Sequence, residues 1–300
     1  MLRIYSLLLL VMVAWGFNVS ALVVLVRAFA PLTLTAVRIM VAGVAVLLLT
    51  RFMGIFRLPT REEGRAIVLI MLFNVAFHHA LLALGLTKTS GANASIILGS
   101  LPLLTMILSV IFLRQSISWA RVLGFVLGFI GVFWTSVVTA GGIGQLSSGD
   151  GFVFLSILSQ AFSFILISRL SPELDPRLLT GYMLLIGSGL LLLLAGVIEG
   201  DFSQLTALFD LKLAGIFLFS AVGATAFGHM IYNYAVRYVG PAETAIFANL
   251  NTVFALIGSS LFLGETILLA HVIGLLLIIL GIFFGTGSFE YLVKKRHERK

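Results

Sequence analysis

The 300-residue chain contains no cysteine. That excludes disulfides, thiolate nucleophiles and thiolate metal sites. Charge is also scarce: 10% of residues are Asp, Glu, Lys or Arg, against about 25% in soluble domains. The sequence has no His-Glu-x-x-His run and no nucleotide-binding glycine loop, and no Asp or Glu stands near the middle of an apolar run. A lipid-modifying enzyme built inside the membrane would want a metal cluster or paired carboxylates, and neither pattern is present. No cofactor and no bound metal are expected.

What the chain has in abundance is apolar surface, with 60% of residues hydrophobic. A water-surrounded core could not hide that much, so the solvent is lipid. Ten apolar runs are long enough to span a bilayer: 4–25, 32–53, 66–86, 92–113, 120–139, 151–168, 178–198, 213–235, 242–263 and 267–288. The chain therefore reads as an all-α polytopic membrane protein with ten transmembrane helices. The first run, "MLRIYSLLLLVMVAWGF", has a short basic start like a signal peptide, but no small-x-small site follows, and it reads as a retained span.

The net charge is +7, and its distribution argues against nucleic acid. With the N-terminus inside, the inner segments hold Arg3, Arg51, Arg57, Arg61, Arg65, Arg114, Arg121, Arg169, Arg177, Arg237, Lys294, Lys295, Arg296, Arg299 and Lys300. The outer segments hold only Arg27, Lys88 and Lys212, and Arg38 falls inside a span. By the positive-inside rule both termini are predicted to be cytoplasmic. The terminal "KKRHERK" fits a basic cytoplasmic tail over 291–300.

A repeat underlies the ten runs. Shifted by 150 positions, Ala92, Ile96, Ser109, Phe112, Leu113, Gly124 and Gly131 meet identical residues at 242, 246, 259, 262, 263, 274 and 281. The earlier helices match at a shift of 145: Phe17 with Phe162, Pro31 with Pro176, Thr35 with Thr180. The units run over 1–140 and 150–290. Five spans per unit is an odd number, so the second copy enters the membrane inverted. Such repeats are the architecture of many secondary transporters, with the substrate near mid-membrane.

Several stretches now carry a resemblance: "AWGFN" in the first helix, "VRIMVAG" in the second, "TKTSGANASIILGSLPLLTMILS" in the fourth and "YVGPAETAIFANLNTVFALIGSSLFLGE" in the ninth. In this order and spacing, over nearly the whole chain, they resemble the EamA branch of the drug/metabolite transporter superfamily. The resemblance implies a ten-helix inverted-repeat fold and movement of small metabolites, often export of amino acids or related compounds. Trp15-Gly16, Arg38 and Pro102 match landmarks of the family. The second half has Thr252 where a proline paired with Pro102 would stand.

Polar side chains inside spans mark the substrate path, because facing lipid is costly for them. Helical spacing puts Thr225, His229, Tyr232 and Asn233 on one stripe of the eighth helix. Ser95, Gly99, Pro102 and Ser109 line a face of the fourth, and Asn249, Thr252 and Ser259 the matching face of the ninth. Trp15 and Asn18 come from the first helix, Gln160 and Ser163 from its repeat partner. Asn74 and His78 share a face of the third helix, with His79 about 100° away. The candidate substrate-binding set is thus Trp15, Asn18, Arg38, Asn74, His78, His79, Ser95, Pro102, Gln160, Ser163, His229, Tyr232, Asn233, Asn249 and Thr252. Two readings stay open for such faces, a wet cavity or polar helix–helix packing. For Arg38 they are a structural anchor or an anion-binding group. Glu243, after Gly240-Pro241, reads as a partner of the ninth helix's dipole.

The expected activity is that of an inner-membrane carrier for small metabolites, amino acids first. It would work as a monomer or homodimer in the bilayer, by alternating access. Without a mid-membrane carboxylate, facilitated transfer, exchange or export fits better than carboxylate-based ion coupling. A drug or amphiphile efflux carrier, an intramembrane lipid-modifying enzyme and a channel are the rival readings.

Overall fold

The computed structural model describes residues 2–170, 172–264 and 266–291, and not the side chains at 91, 92, 139 and 270. The basic residues of the expected tail and the Ala92 side chain of the repeat therefore lie outside the described residues. Helices follow the apolar runs. They are α1 (Leu2–Leu25), α2 (Pro31–Phe52), α3 (Arg61–Leu86), α4 (Gly91–Gly99, continuing as Leu101–Leu113) and α5 (Trp119–Ala140). The second set is α6 (Ser148–Ser168), α7 (Pro176–Ile198), α8 (Leu211–Tyr238), α9 (Pro241–Leu263) and α10 (Leu269–Gly285). Among the described residues there is no strand, and nine helices are long and apolar enough to cross a membrane. The tenth, α10, has 17 residues, about 25 Å at 1.5 Å per residue.

The helix ends have local causes. Pro31 and Pro176 open α2 and α7, where a missing N–H leaves no bond unmade. α3 begins five residues before its apolar run, because Thr60 and Glu63 form a reciprocal cap and Arg57 holds Glu63 through Nη1 at 2.7 Å and Nη2 at 2.5 Å. α4 ends at Arg114 and α9 at Gly264, both left-handed (φ 52° and 75°), with their N–H groups turned back to Ser109 O and Ser259 O. Those stops lie 150 residues apart. Glycine takes this conformation freely, and a side chain there costs roughly 1–2 kcal/mol.

The same correspondence runs through the packing. α5 lies along α10, and α2 along α7. α1 packs on α8 and α9, as α6 packs on α3 and α4. Exchanging the two sets of five helices maps this pattern onto itself. The closest approaches obey the same exchange. A Cβ on Gly124 would sit 2.7 Å from Gly281 O, and one on Gly131 would sit 2.7 Å from Gly274 O. Gly124 and Gly131 are the repeat counterparts of Gly274 and Gly281, so the two contacts are one contact seen twice. Small residues let these backbones meet.

Four departures from regular α-helix were not expected from the sequence. α3 widens into a π-helix over Leu72–Phe77, and α8 does so over Phe219–Phe227. α4 breaks at Ser100, and α9 tightens to a 3-10 turn at Ile246–Ala248. α9 makes its irregularity without a proline, so Thr252 does not remove the feature that Pro102 marks in the other half. A 3-10 helix, Ser203–Phe209, joins α7 to α8.

Opposite ends of the bundle are closed by different chemistry. At the start of α2, the carboxylate of Glu199 accepts from Leu32 N (2.9 Å), Thr33 N (2.7 Å) and Thr33 Oγ1 (2.7 Å). At the start of α5, Arg121 pairs with Glu243 at 2.6 Å and Glu290 at 3.3 Å. Glu243 forms no side-chain cap on α9; its carboxylate is held by that guanidinium.

Candidate functional site

The π-helix of α8 builds the centre of the molecule. A π turn bonds five residues back and leaves carbonyls free. Ala224 O accepts the indole N–H of Trp15 at 2.8 Å. Thr225 Oγ1 donates to Ser220 O at 2.8 Å and accepts from Arg38 Nη1 at 2.7 Å. Gly228 makes room for the indole, since a Cβ there would stand 3.0 Å from Trp15 Cε2. One irregular turn therefore anchors α1 and α2 against α8.

Around it the rings stack. The Trp15 centroid lies 5.4 Å from His229 and 5.2 Å from Tyr232, and Phe164 of α6 lies 5.1 Å from Tyr232. Tyr232 is 1% exposed, and its hydroxyl has no hydrogen-bond partner. Arg38 is 8% exposed, and its Nε likewise has none. His79 is half-buried, and Arg38, His78 and His229 all lie within electrostatic reach of it. The structure thus brings together Trp15, Arg38, His79, His229 and Tyr232 from four helices, α1, α2, α3 and α8, with Thr225 as the link. Three of these are basic. The four ion pairs among the described residues all lie at helix ends, and none involves Arg38.

Other members of the predicted set sit elsewhere. Asn74 and His78 do share a face, and it is turned to α6. Asn74 Nδ2 donates to Ser163 Oγ at 2.7 Å. His78 Nδ1 lies 2.8 Å from Ser156 Oγ, which donates to His78 O at 2.9 Å. Ser159 Oγ donates to Phe73 O, inside the π turn, at 2.8 Å. Ser163 also donates to Gln160 O at 2.6 Å, and Gln160 is half-buried. Asn233 donates to Thr180 of α7 at 3.0 Å. Asn249 is 2% exposed with neither amide atom bonded, and it packs on Gly128 of α5. Asn18 is buried with a free Oδ1. Thr252 is half-buried, Pro102 is buried at the α4 break, and Ser95 is exposed.

The sequence reading missed Ser156, Ser159 and Phe164. The serines had a legible signal, because positions 156, 159 and 163 fall on one helix face. Phe164 had none, being one phenylalanine among 25. No group of three metal-binding side chains occurs among the described residues. A concavity of about 460 Å³ opens at the start of α3, beside Glu63, Arg169 and Glu173. None of the central residues lines it, and in this conformation aromatic rings fill the middle.

Known proteins give the arrangement its context. A solved crystal structure superposes with a TM-score of 0.78 over 97% of this chain and 98% of its own, at 16% identity, which speaks to the fold. A Bacillus subtilis (strain 168) protein, the uncharacterized transporter YyaM, is 29% identical over 95% of this chain and 94% of its own. The uncharacterized inner membrane transporter YedA of Escherichia coli (strain K12) is 26% identical over 89% and 85%. The family model for EamA-like transporters matches twice, over residues 2–137 and 147–286. The chain is a multi-pass membrane protein and belongs to the EamA-like transporter family, within the drug/metabolite transporter superfamily.

Proposed function

We propose that the chain is a carrier in a bacterial inner membrane that moves a small organic metabolite, amino acids first, by alternating access. The two five-helix units are inverted relative to each other, with both termini cytoplasmic. The observation that carries this reading is the cluster of Arg38, His79, His229, Trp15 and Tyr232. Arg38 and Tyr232 are buried and the other three half-buried where α1, α2, α3 and α8 meet, with Arg38 Nε and the Tyr232 hydroxyl left unpaired. Each buried unsatisfied group costs about 1–3 kcal/mol, and here two of them, on Arg38 and Tyr232, stand beside two imidazoles and an indole. A solute that fills the gap between units would satisfy them and be released when the units rock apart.

α3 runs outward and α8 inward, so His79 and His229 approach the centre from opposite sides. The α5–α10 glycine seam lies on the axis about which the units exchange, where sliding disturbs little. With no carboxylate near mid-membrane, facilitated transfer or exchange of solute is favoured over carboxylate-based ion coupling.

Two experiments test this. Proteoliposomes should show saturable counterflow of a labelled amino acid or related solute, which a channel does not give. Because the native chain lacks cysteine, Gln145→Cys and Ser288→Cys give single labelling sites. An impermeant maleimide should modify the first from outside the cell and the second only from inside. Labelling of both from one side would end the inverted-repeat reading.

A further inference from the structure

We propose that Arg38 is the anion-recognition group of the central site, and that the solute carries a carboxylate and an apolar body. The proposal deepens the carrier reading and rests on it only for the purpose of the binding.

The guanidinium sits eight residues into α2 and is 8% exposed. A charge in a membrane interior is costly unless something compensates it. No carboxylate among the described residues pairs with it. The neighbours within electrostatic reach are imidazoles, His79 and His229, which add donors and no negative charge. Its one hydrogen bond through Nη1 goes to a neutral hydroxyl, Thr225 Oγ1 at 2.7 Å. Its Nε is buried and unpartnered. That atom is one half of the fork with which arginine takes a carboxylate in two parallel bonds.

A purely structural anchor would not leave that fork empty. The α2–α8 contact needs only the Thr225 bond, which a neutral donor could make. At the repeat counterpart, 145 residues on, stands Met183, fully buried in the core. The fold therefore accommodates an uncharged side chain of similar length at this position. The charge is a property of one unit alone.

The rest of the site sets the chemistry of the solute. One guanidinium and two imidazoles match a single carboxylate better than a phosphate dianion. Trp15 and Tyr232 present ring faces beside them, which suits an apolar or aromatic body. The free hydroxyl of Tyr232 is a further donor.

The test is binding to the purified protein in nanodiscs, read by thermal shift and by Trp15 fluorescence in the Trp119→Phe, Trp134→Phe background. The probes are acid/amide pairs of equal shape: 3-phenylpropionate with 3-phenylpropionamide, indole-3-acetate with its amide, and 4-methylvalerate with its amide. Phenylalanine, phenethylamine and phenyl phosphate complete the set. At least one acid is expected to bind at least about tenfold tighter than its amide, a difference of about 1.4 kcal/mol, and to change Trp15 emission. Arg38→Met should bring that ratio to about one, and Arg38→Lys should hold it in between. Equal binding of every acid and its amide by the native chain overturns the proposal whether or not the variants fold. So do an unchanged ratio in Arg38→Met, tighter binding of phenyl phosphate than of every acid, or binding that leaves Trp15 emission unmoved. Acid preference without counterflow would sink the carrier reading and leave the anion site standing. Saturable counterflow of amides and amines as fast as acids would do the reverse.

Discussion

The third and eighth helices hold the same backbone irregularity at the same place in the repeat and use it in opposite ways. In α3 the π turn is bonded to its neighbour at three side chains, with Asn74 Oδ1 the one buried polar side-chain atom of the turn left over. Phe73 O takes Ser159, Asn74 takes Ser163, and His78 takes Ser156, all from α6. In α8 the π turn is left open. Ala224 O takes Trp15 and Thr225 takes Arg38, but Arg38 Nε and the Tyr232 hydroxyl stay unpaired. The lesson is that duplication supplied the scaffold and divergence of side chains set the roles. One seam became a polar weld, and the other, in the proposed reading, the place where a solute is held.

That contrast can be broken at four points, taken from the largest effect to the smallest. The α5–α10 seam serves both units alike, so damage there should cost the whole molecule. A Cβ on Gly281 would lie 2.6 Å from Gly128 N, and Gly281→Leu should give no folded protein by size-exclusion chromatography, as overpacking here exceeds the roughly 1–3 kcal/mol of ordinary cores. On the open seam, His229→Ala should lower transport by at least about tenfold, equivalent to about 1.4 kcal/mol, with an unchanged melting profile. His79→Ala should follow it. On the closed seam the sign reverses. Ser156→Val leaves His78 without its hydroxyl partner and should lower stability by about 1 kcal/mol, with transport per folded molecule kept. Smallest is Trp15→Phe, which removes the bond to Ala224 O and should cost below about 1 kcal/mol in stability, with a modest rise in the concentration for half-maximal transport.

Much of the fold was legible because lipid enforces length and hydropathy. Among the described residues, nine of the ten apolar runs became helices of spanning length, and several ends fell within two residues of the expected ones. The misses trace to chemistry that hydropathy does not see. α3 starts early because a charged cap, Thr60 with Glu63, precedes the apolar run. α10 is shorter than its run because Gly285 and Gly287 end it, Gly287 at φ 75°. The π turns were invisible because "LFNVAF" and "FSAVGATAF" have the composition of any apolar helix.

The same blind spot shaped the site. Spacing at 3.6 residues put Asn233 on the stripe of Thr225, His229 and Tyr232, yet Asn233 turns to Thr180 on α7. The sequence flagged His78 beside His79, but only the structure separates a histidine bonded to α6 from one beside Arg38. Arg38 itself was conspicuous as a charge inside a span. What could not be read was the missing counter-ion, since that depends on which helices become neighbours.

The most direct measurement is counterflow in proteoliposomes by the native chain, His229→Ala and Ser156→Val, each normalised to folded protein. The open-seam account requires saturable exchange in the native chain, retained by Ser156→Val and lost by His229→Ala. Retention in His229→Ala together with loss in Ser156→Val would contradict it.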